Sequence, residues 1–554
     1  MNASTSKFLG ALAGALTVAV AGTMLTSAAS PKFYADDPVW IEHDTQDASS
    51  IKPLEVDLFV DLTTNLVLGR STPTARRAAN INTVDEVPNS SWFTNRLGSR
   101  AMTTQEIAKG PNTTDGPAEG AWTITSSKSD GVTPGFTVKD RTGQRWFLKF
   151  DPPGHRAMAT GTEVAVTKLM WALGYYVPEN HIAYVKREQL VIGEGARFTP
   201  PGRKPRVMRD SDIDNLLERA NREGDGSYRV VASKALSGTP VGRVKFVDTR
   251  PDDPNDLVPH QDRRELRAYG VFAAWLNHVD AKAINSLDVL VSENGKSFLR
   301  HYLIDFGSAL GSGGVGPADY WAGSEYLVQP RDVAKQMVSV GFAVPKWRTT
   351  PFYEAQAIGR LPRYNADFNP DSWKPRVPNQ AFLHARPDDK FWAATKLAAL
   401  TTEMIRAAVR TGEFGNVTAE EFLVHALAER RDAIRSAYLT AVNPISAPVL
   451  DASGTLTFKN AAVDADVARM PRGYHAAWST FDNTTRETTL IGETSGASTQ
   501  FQAPAGLPRN EGAFVKIDLS ALGAGYAAWG EPVSAYFRLS RGGWSLVGFE
   551  RMAE

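Results

Sequence analysis

Near residue 246 the spacing of apolar residues changes period. Before it, apolar and polar residues alternate in AWTITSS, GFTVKD and RWFLKF, as strands with one buried face require. Beyond it, apolar residues recur at helical spacing, first in ELRAYGVFAAWLNHV. Such a chain has to set a small sheet against a helical body. The turn Arg141-Thr142-Gly143-Gln144 predicts a tight hairpin, and GTEVAVTKLMWALGYY predicts a helix ending at Gly174. HIAYVKREQLVI and YRVVASKAL read as two further strands around a polar insert at about 200–227. Residues 121–245 therefore predict an antiparallel sheet lobe with one helix, and 246–445 a helical lobe. Within the latter, DVLVSENGKSFLRHYL predicts a hairpin turning at Glu-Asn-Gly. Helices are expected at 331–341, 390–411 and 418–441.

The flanks differ in character. Residues 1–29 carry Lys7, an apolar run from Phe8 to Leu25 and the small residues Ser27-Ala28-Ala29. This predicts a signal peptide cleaved near Ala29 and an exported chain, periplasmic or extracellular. The alternative is a retained N-terminal anchor, against which the run's Ala, Gly, Val and Thr content is only weakly hydrophobic. No later segment has 18 apolar residues in a row, so no stable membrane insertion is expected after cleavage. Residues 30–120 read as a wrapping extension with a helix around EVDLFVDLTTNLVLG, anchored by Trp40 and Trp92. Residues 446–554 return to short strands, GTLTFK, AFVKIDL, VSAYFRL and WSLVGFE, predicting an all-β domain, sandwich or barrel. There Trp478, Trp529 and Trp544 are expected in the core. Lysine and arginine number 61, and so do aspartate and glutamate. No global basic field would draw the chain to nucleic acid. The absence of cysteine excludes disulfides, a thiolate nucleophile and a cysteine-ligated zinc.

Phosphoryl transfer needs a cation on the nucleotide phosphates, oxygen ligands on metals, and a base near the acceptor hydroxyl. The chain offers these in order. HVDAKAIN, His278 to Asn285, follows an apolar helix. Asp280 can accept a proton, Lys282 can neutralise a phosphoryl group, and the Asn285 carbonyl suits a hard cation. The other reading is a polar helix-to-strand turn. In YLIDFG an apolar strand delivers Asp305 to its end, and Gly307 permits a sharp exit. Lys149 stands on the half-buried strand RWFLKF, and Glu163 on the following helix can partner it. The alternative for Lys149 is a lysine snorkelling at an edge. Between the first two strands, SSKSDGVTPGF contains Ser129, Gly131 and Gly135. Its amides can cradle phosphate, or it is a plain hairpin turn. Asp288 is a rival metal ligand, set lower because it falls in a strand. RPDDPND, Arg250 to Asp256, reads as a solvated loop, and the remaining histidines show no metal spacing.

The ordered set Lys149, Glu163, His278-Val279-Asp280, Lys282, Asn285 and Asp305-Phe306-Gly307 resembles the protein-kinase-like superfamily in an atypical form, similar to HipA-type toxin kinases, CotH spore-coat kinases and phosphatidylinositol kinases. The resemblance spans about 121–445 by element order. It implies a bilobal fold and ATP with Mg²⁺ or Mn²⁺. Lys149 would meet the phosphates and Glu163 that lysine. Asp280 would be the base, and Asn285 and Asp305 the metal ligands. Ser233 to Leu236, including Ala235, would be the hinge that meets adenine. The chain departs from protein kinases at Val279, where an arginine is usual, and has no Ala-Pro-Glu after the glycine-rich run Gly307 to Gly316. The acceptor is therefore open among protein, glycan, lipid and small molecule. So is the choice between an active enzyme and a degenerate kinase fold serving as a scaffold in the cell envelope.

Overall fold

Alternation over 122–234 builds a mixed sheet. The computed structural model describes residues 30–68, 76–128, 133–200, 203–327, 344–523 and 525–552. The segment 1–29, the expected helix at 331–341, and Ser129 and Gly131 lie outside the described residues. Strands β1 (Trp122–Ser127), β2 (Gly135–Lys139), β3 (Arg145–Phe150), β4 (Asn180–Val185), β5 (Leu190–Phe198), β6 (Arg206–Val207) and β7 (Tyr228–Lys234) form a seven-stranded sheet in the order β4-β7-β3-β2-β1-β5-β6. One face buries Trp122, Ile124, Phe136, Trp146, Leu148 and Phe150.

The sheet is not wholly antiparallel, because β5 runs parallel to β1. HIAYVKREQLVI is two strands, not one. A single 3-10 turn, Arg187–Gln189, is closed by the Lys186 amide on Gln189 Oε1, and it sends β4 to one edge and β5 to the other half of the sheet, between β1 and β6. The polar insert also folds. Its helix α4 (Asp210–Leu217) puts Ile213 and Leu217 under the sheet, so the sheet carries two helices. The earlier helices are α1 (Leu58–Leu68), within the expected segment, α2 (Thr104–Lys109) and α3 (Met158–Ala172). Helix α3 lies between the sheet and the helical region, with nearly every side chain buried.

Helix α5 (Arg264–Leu276) leads into the hairpin of β9 (Ser286–Glu293) and β10 (Lys296–Leu303), with β8 (Thr239–Gly242) pairing on the outside of β9. Asn294 and Gly295 turn the hairpin at φ 52° and 79°, the left-handed pair that a two-residue turn demands. Helices α6 (Gln380–Leu383), α7 (Pro387–Ala398), α8 (Thr402–Arg410) and α9 (Val417–Leu439) follow. Near the C-terminus, Gly473–Phe481, Thr488–Gly496, Phe514–Leu522, Val533–Ser540 and Gly543–Glu550 form a five-stranded antiparallel sheet. Trp478 and Trp529 are fully buried, in one continuous apolar cluster with Trp275 and Leu427 of the helices.

The N-terminal extension crosses much of the molecule. Phe33 packs on the C-terminal sheet, and Lys32 Nζ pairs with Glu550 Oε1 at 2.7 Å. Ala48 and Ile51 pack with Leu299 of β10. Trp92 stacks on His301 at 3.4 Å between ring centroids. Trp40 is half exposed and anchors little. Arg250 to Asp256 is no solvated loop. Arg250, Asp253 and Asp256 are buried, Arg250 on Asp288 at 3.0 Å and Asp256 on His260 at 2.7 Å. The Arg250–Asp288 pair joins charges 38 residues apart, which composition alone conceals.

Candidate active site

On β3, Trp146, Leu148 and Phe150 face the sheet's apolar core. The pleat turns Lys149 to the other face, toward α3. Its Nζ sits 3.2 Å from Glu163 Oε2 and 2.9 Å from Asp305 Oδ1. Burial disfavours the lysine's charge, but the two carboxylates outweigh it and hold the pKa above the ordinary value. Glu163, buried on α3, also accepts the backbone N–H of Phe306 at 3.0 Å and of Gly307 at 2.9 Å. Asp305 makes this possible. Its φ of 62° is left-handed, costing about 1–3 kcal/mol for a residue with a side chain. The two amides that follow it meet the carboxylate. Burial pushes Asp305 up, yet Lys149 and Lys128 bring its pKa down to about 2.

The second half of the site is the loop after α5. Asn277 ends the helix at φ 48°. His278 is buried between Tyr269 and Phe306, with ring centroids at 6.2 and 5.6 Å. Burial pushes its pKa down to about 4, so it is neutral at physiological pH. Lys282 Nζ lies 2.8 Å from Asp280 Oδ1. Asn285 Nδ2 donates to the Asp280 carbonyl at 2.8 Å and to its Oδ2 at 3.0 Å. Burial opposes ionisation of Asp280, but Lys282 and Asn285 more than offset it, and the carboxyl stays below its ordinary pKa. The Asn285 carbonyl accepts the Ile304 amide at 3.0 Å, which ties the loop to the strand exit one residue before Asp305. Lys149, Glu163 and Asp305 thus meet directly, and Asp280, Lys282 and Asn285 form a second cluster joined to them through the chain.

No protein-family model matches the chain, and no curated protein does. Among solved structures it is similar to the proinflammatory kinase CtkA of Helicobacter pylori, at 13% identity and a TM-score of 0.27, over 56% of this chain and 94% of that one. It is also similar to the Golgi casein kinase, at 10% identity and a TM-score of 0.27, over 72% and 94%. Likenesses this weak carry no argument about fold or chemistry.

The hinge residues have other partners. Ser233 donates to Asn180 Oδ1 at 2.5 Å, and the Ala235 amide donates to the Arg145 carbonyl at 3.0 Å. Among the described residues neither borders the space around Lys149, which is walled by Thr133, Phe150, Thr160, Val231, Gly313 and Gly314. That space is about 30 Å³, room for a water or two. Thr133 Oγ1 donates to the Gly314 carbonyl at 3.4 Å, closing the glycine-rich run over the lysine. Asp288 is committed to His301 at 2.7 Å and to Arg250, which removes it as a rival ligand. Local sequence patterning does not single out Asn180, Thr133 or Gly314. Their only signal is position at a strand end or in a loop, and their partners come from remote segments.

The donor set suits a hard divalent cation. It consists of a carboxylate and an amide whose nitrogen is pinned to Asp280, so that oxygen is the atom left to bind. Among the described residues no group of three or more His, Cys, Asp or Glu could hold a metal unaided. Phosphate oxygens would have to complete the shell.

Proposed function

We propose that this chain is an exported, atypical kinase-like protein that transfers phosphoryl from ATP to an acceptor outside the cytoplasm, through a two-lobed core at 121–445. One observation carries the reading: a half-buried strand lysine is held between a helix glutamate and an aspartate on a left-handed turn, with the loop bearing Asp280 and Asn285 bonded to the residue before that turn. Lys149 would meet the nucleotide phosphates and be kept charged by Glu163. Asn285 and Asp305 would hold Mg²⁺ or Mn²⁺, which supplies charge neutralisation for the phosphates. Asp280, ionised at neutral pH, would accept the acceptor's proton, with Lys282 beside it. The acceptor would approach past Asn277, which borders a cavity of about 610 Å³ lined with Trp347, Phe352, Tyr364 and Trp373.

A second reading, a degenerate kinase fold used as a scaffold, is favoured by the cramped space beside Lys149 and by the engaged amide of Ala235. Calorimetry of ATP with Mg²⁺ or Mn²⁺ against the chain lacking residues 1–29, together with label transfer from γ-labelled ATP, tests the proposal. Binding with transfer supports the enzyme. Binding without transfer to any protein, glycan, lipid or water favours the scaffold. No binding with either metal overturns both the ATP site and the enzyme.

A further inference from the structure

Asn180 opens β4 with no exposed surface, directly opposite Ser233 of β7 in the sheet register. Both ends of its side-chain amide have partners. Its Nδ2 donates to Thr167 Oγ1 at 2.8 Å and lies 3.5 Å from Glu163 Oε1. Its Oδ1 accepts from Ser233 at 2.5 Å, and its backbone carbonyl accepts from Asn112 of the N-terminal extension at 3.0 Å.

Counting protons then fixes which way the amide faces. The Thr167 hydroxyl donates its single proton to the Glu163 backbone carbonyl at 2.7 Å, one turn back along α3. Toward Asn180 it can only accept. The amide must therefore turn its NH₂ to α3 and its oxygen to the sheet, where Ser233 supplies a proton. The hydroxyl on the helix assigns this orientation, and Ser233, which can donate or accept, fits it by donating. The consequence falls on Glu163. Its Oε1 takes the Phe306 amide, and its Oε2 takes Lys149 and the Gly307 amide. The NH₂ of Asn180 is the side-chain dipole facing Oε1 from the opposite flank.

We infer that Asn180 is a positioning residue that, oriented by Thr167 and held by Ser233, keeps the Glu163 carboxylate in the place from which it grips Lys149 and the turn after Asp305. Ser233 accordingly acts on the site through Asn180. The inference deepens the proposed function, since it takes Lys149 and Glu163 as parts of a working site, but its test needs no nucleotide.

Asn180→Asp keeps the shape and the acceptor for Ser233, and places a second carboxylate against Glu163. In urea titrations at about pH 8, it should lower the folding equilibrium constant about 100-fold in the parent. In a Glu163→Gln background the glutamine's NH₂ can donate to the new carboxylate, reversing the polarity of the contact. There the same change should cost tenfold less, a ratio in the usual range for coupled neighbours. The pair of carboxyls in Asn180→Asp has a folded-state pKa raised above its unfolded value. The lost stability should therefore return as pH falls to about 5, where one carboxyl keeps a proton and donates it to the other. A single variant that does not fold, beside a double variant that does, supports the inference equally. Equal cost in both backgrounds at both pH values overturns the inference and makes Asn180 a structural peg, and so does a double variant that cannot fold. If ATP does not bind, the functional proposal fails and this result stands by itself.

Discussion

The carboxylate of Glu163 accepts the amide proton of Gly307, 144 residues further along the chain, at 2.9 Å. With the Phe306 amide and Lys149 on the same carboxylate, helix, strand and Asp305 turn are held together without any nucleotide. The site is assembled in advance, so what assembles it and what it does can be measured separately.

Glu163→Gln should destabilise the fold by about 3 kcal/mol, the scale for removing one partner of a buried ion pair. Lys149 keeps Asp305, but one of the two amides at Glu163 faces an NH₂ group in place of an oxygen. Chemical denaturation of the two proteins measures this. A change under about 0.5 kcal/mol would show that the carboxylate does not hold the turn.

Asp280→Ala should leave ATP affinity within about twofold and reduce transfer by roughly 10²–10⁴-fold, because a base near the acceptor acts in the transition state. Lys149→Ala should lose both. Paired calorimetry and label transfer separate the two variants. An Asp280→Ala protein that transfers at the parent rate removes Asp280 from the chemistry.

Asn285→Ala and Asp305→Gly should each weaken nucleotide binding only when Mg²⁺ or Mn²⁺ is present, since each removes a hard oxygen ligand. Glycine is the better choice at 305, because it accepts the left-handed φ of 62° that alanine resists. Equal affinity of parent and variants for ATP with metal would put the cation elsewhere.

On the proposed function, nucleotide would have to displace the run from Gly307 to Gly316, because the space beside Lys149 among the described residues is about 30 Å³. ATP with Mg²⁺ should raise hydrogen exchange at Ser312 and Ala318, whose amides bond within this run, and lower it in β3. Protection rising in both segments would mean that the phosphates bind outside the closed run.

Lys168 of α3 is buried, its Nζ donating to the Lys109 carbonyl at 2.9 Å. Burial lowers its pKa to about 7, with Glu179 opposing the shift. The unfolded lysine titrates near 10.4. Between about pH 7 and 10 the unfolded chain therefore binds more protons than the folded one, and this residue makes stability rise with pH. Melting curves from about pH 7 to 9.5 should show an upward slope in the parent that Lys168→Met flattens. An unchanged slope would assign the effect to other groups.

The five residues Lys149, Glu163, Asp280, Asn285 and Asp305 were legible because each stands on, or just beside, an element that the local pattern announces: an alternating strand, an apolar helix, a hairpin closed by Asn-Gly. The expectation for Ser233 takes no account of Asn180, its partner, which lies 53 residues earlier and is met only through the sheet register. Arg250 reads as solvated for the same reason, because its partner Asp288 lies 38 residues further on, outside any window of a few residues. The parallel pairing of β5 with β1 was hidden in what reads as one continuous strand until Arg187–Gln189 breaks it.

The pairing of Lys32 with Glu550 spans 518 residues. The stretch around Lys32 has no seat until the strand Gly543–Glu550 has been made. Its loop-closure cost falls at the end of folding, after the sheet that receives Phe33 has formed. Trp92 and Phe93 do not wait for it, because their partners His301, Tyr175 and Trp392 stand earlier in the chain. The stretch around Lys32 is a clasp that closes after the sheet it rests on, while the rest of the extension is already seated on β10.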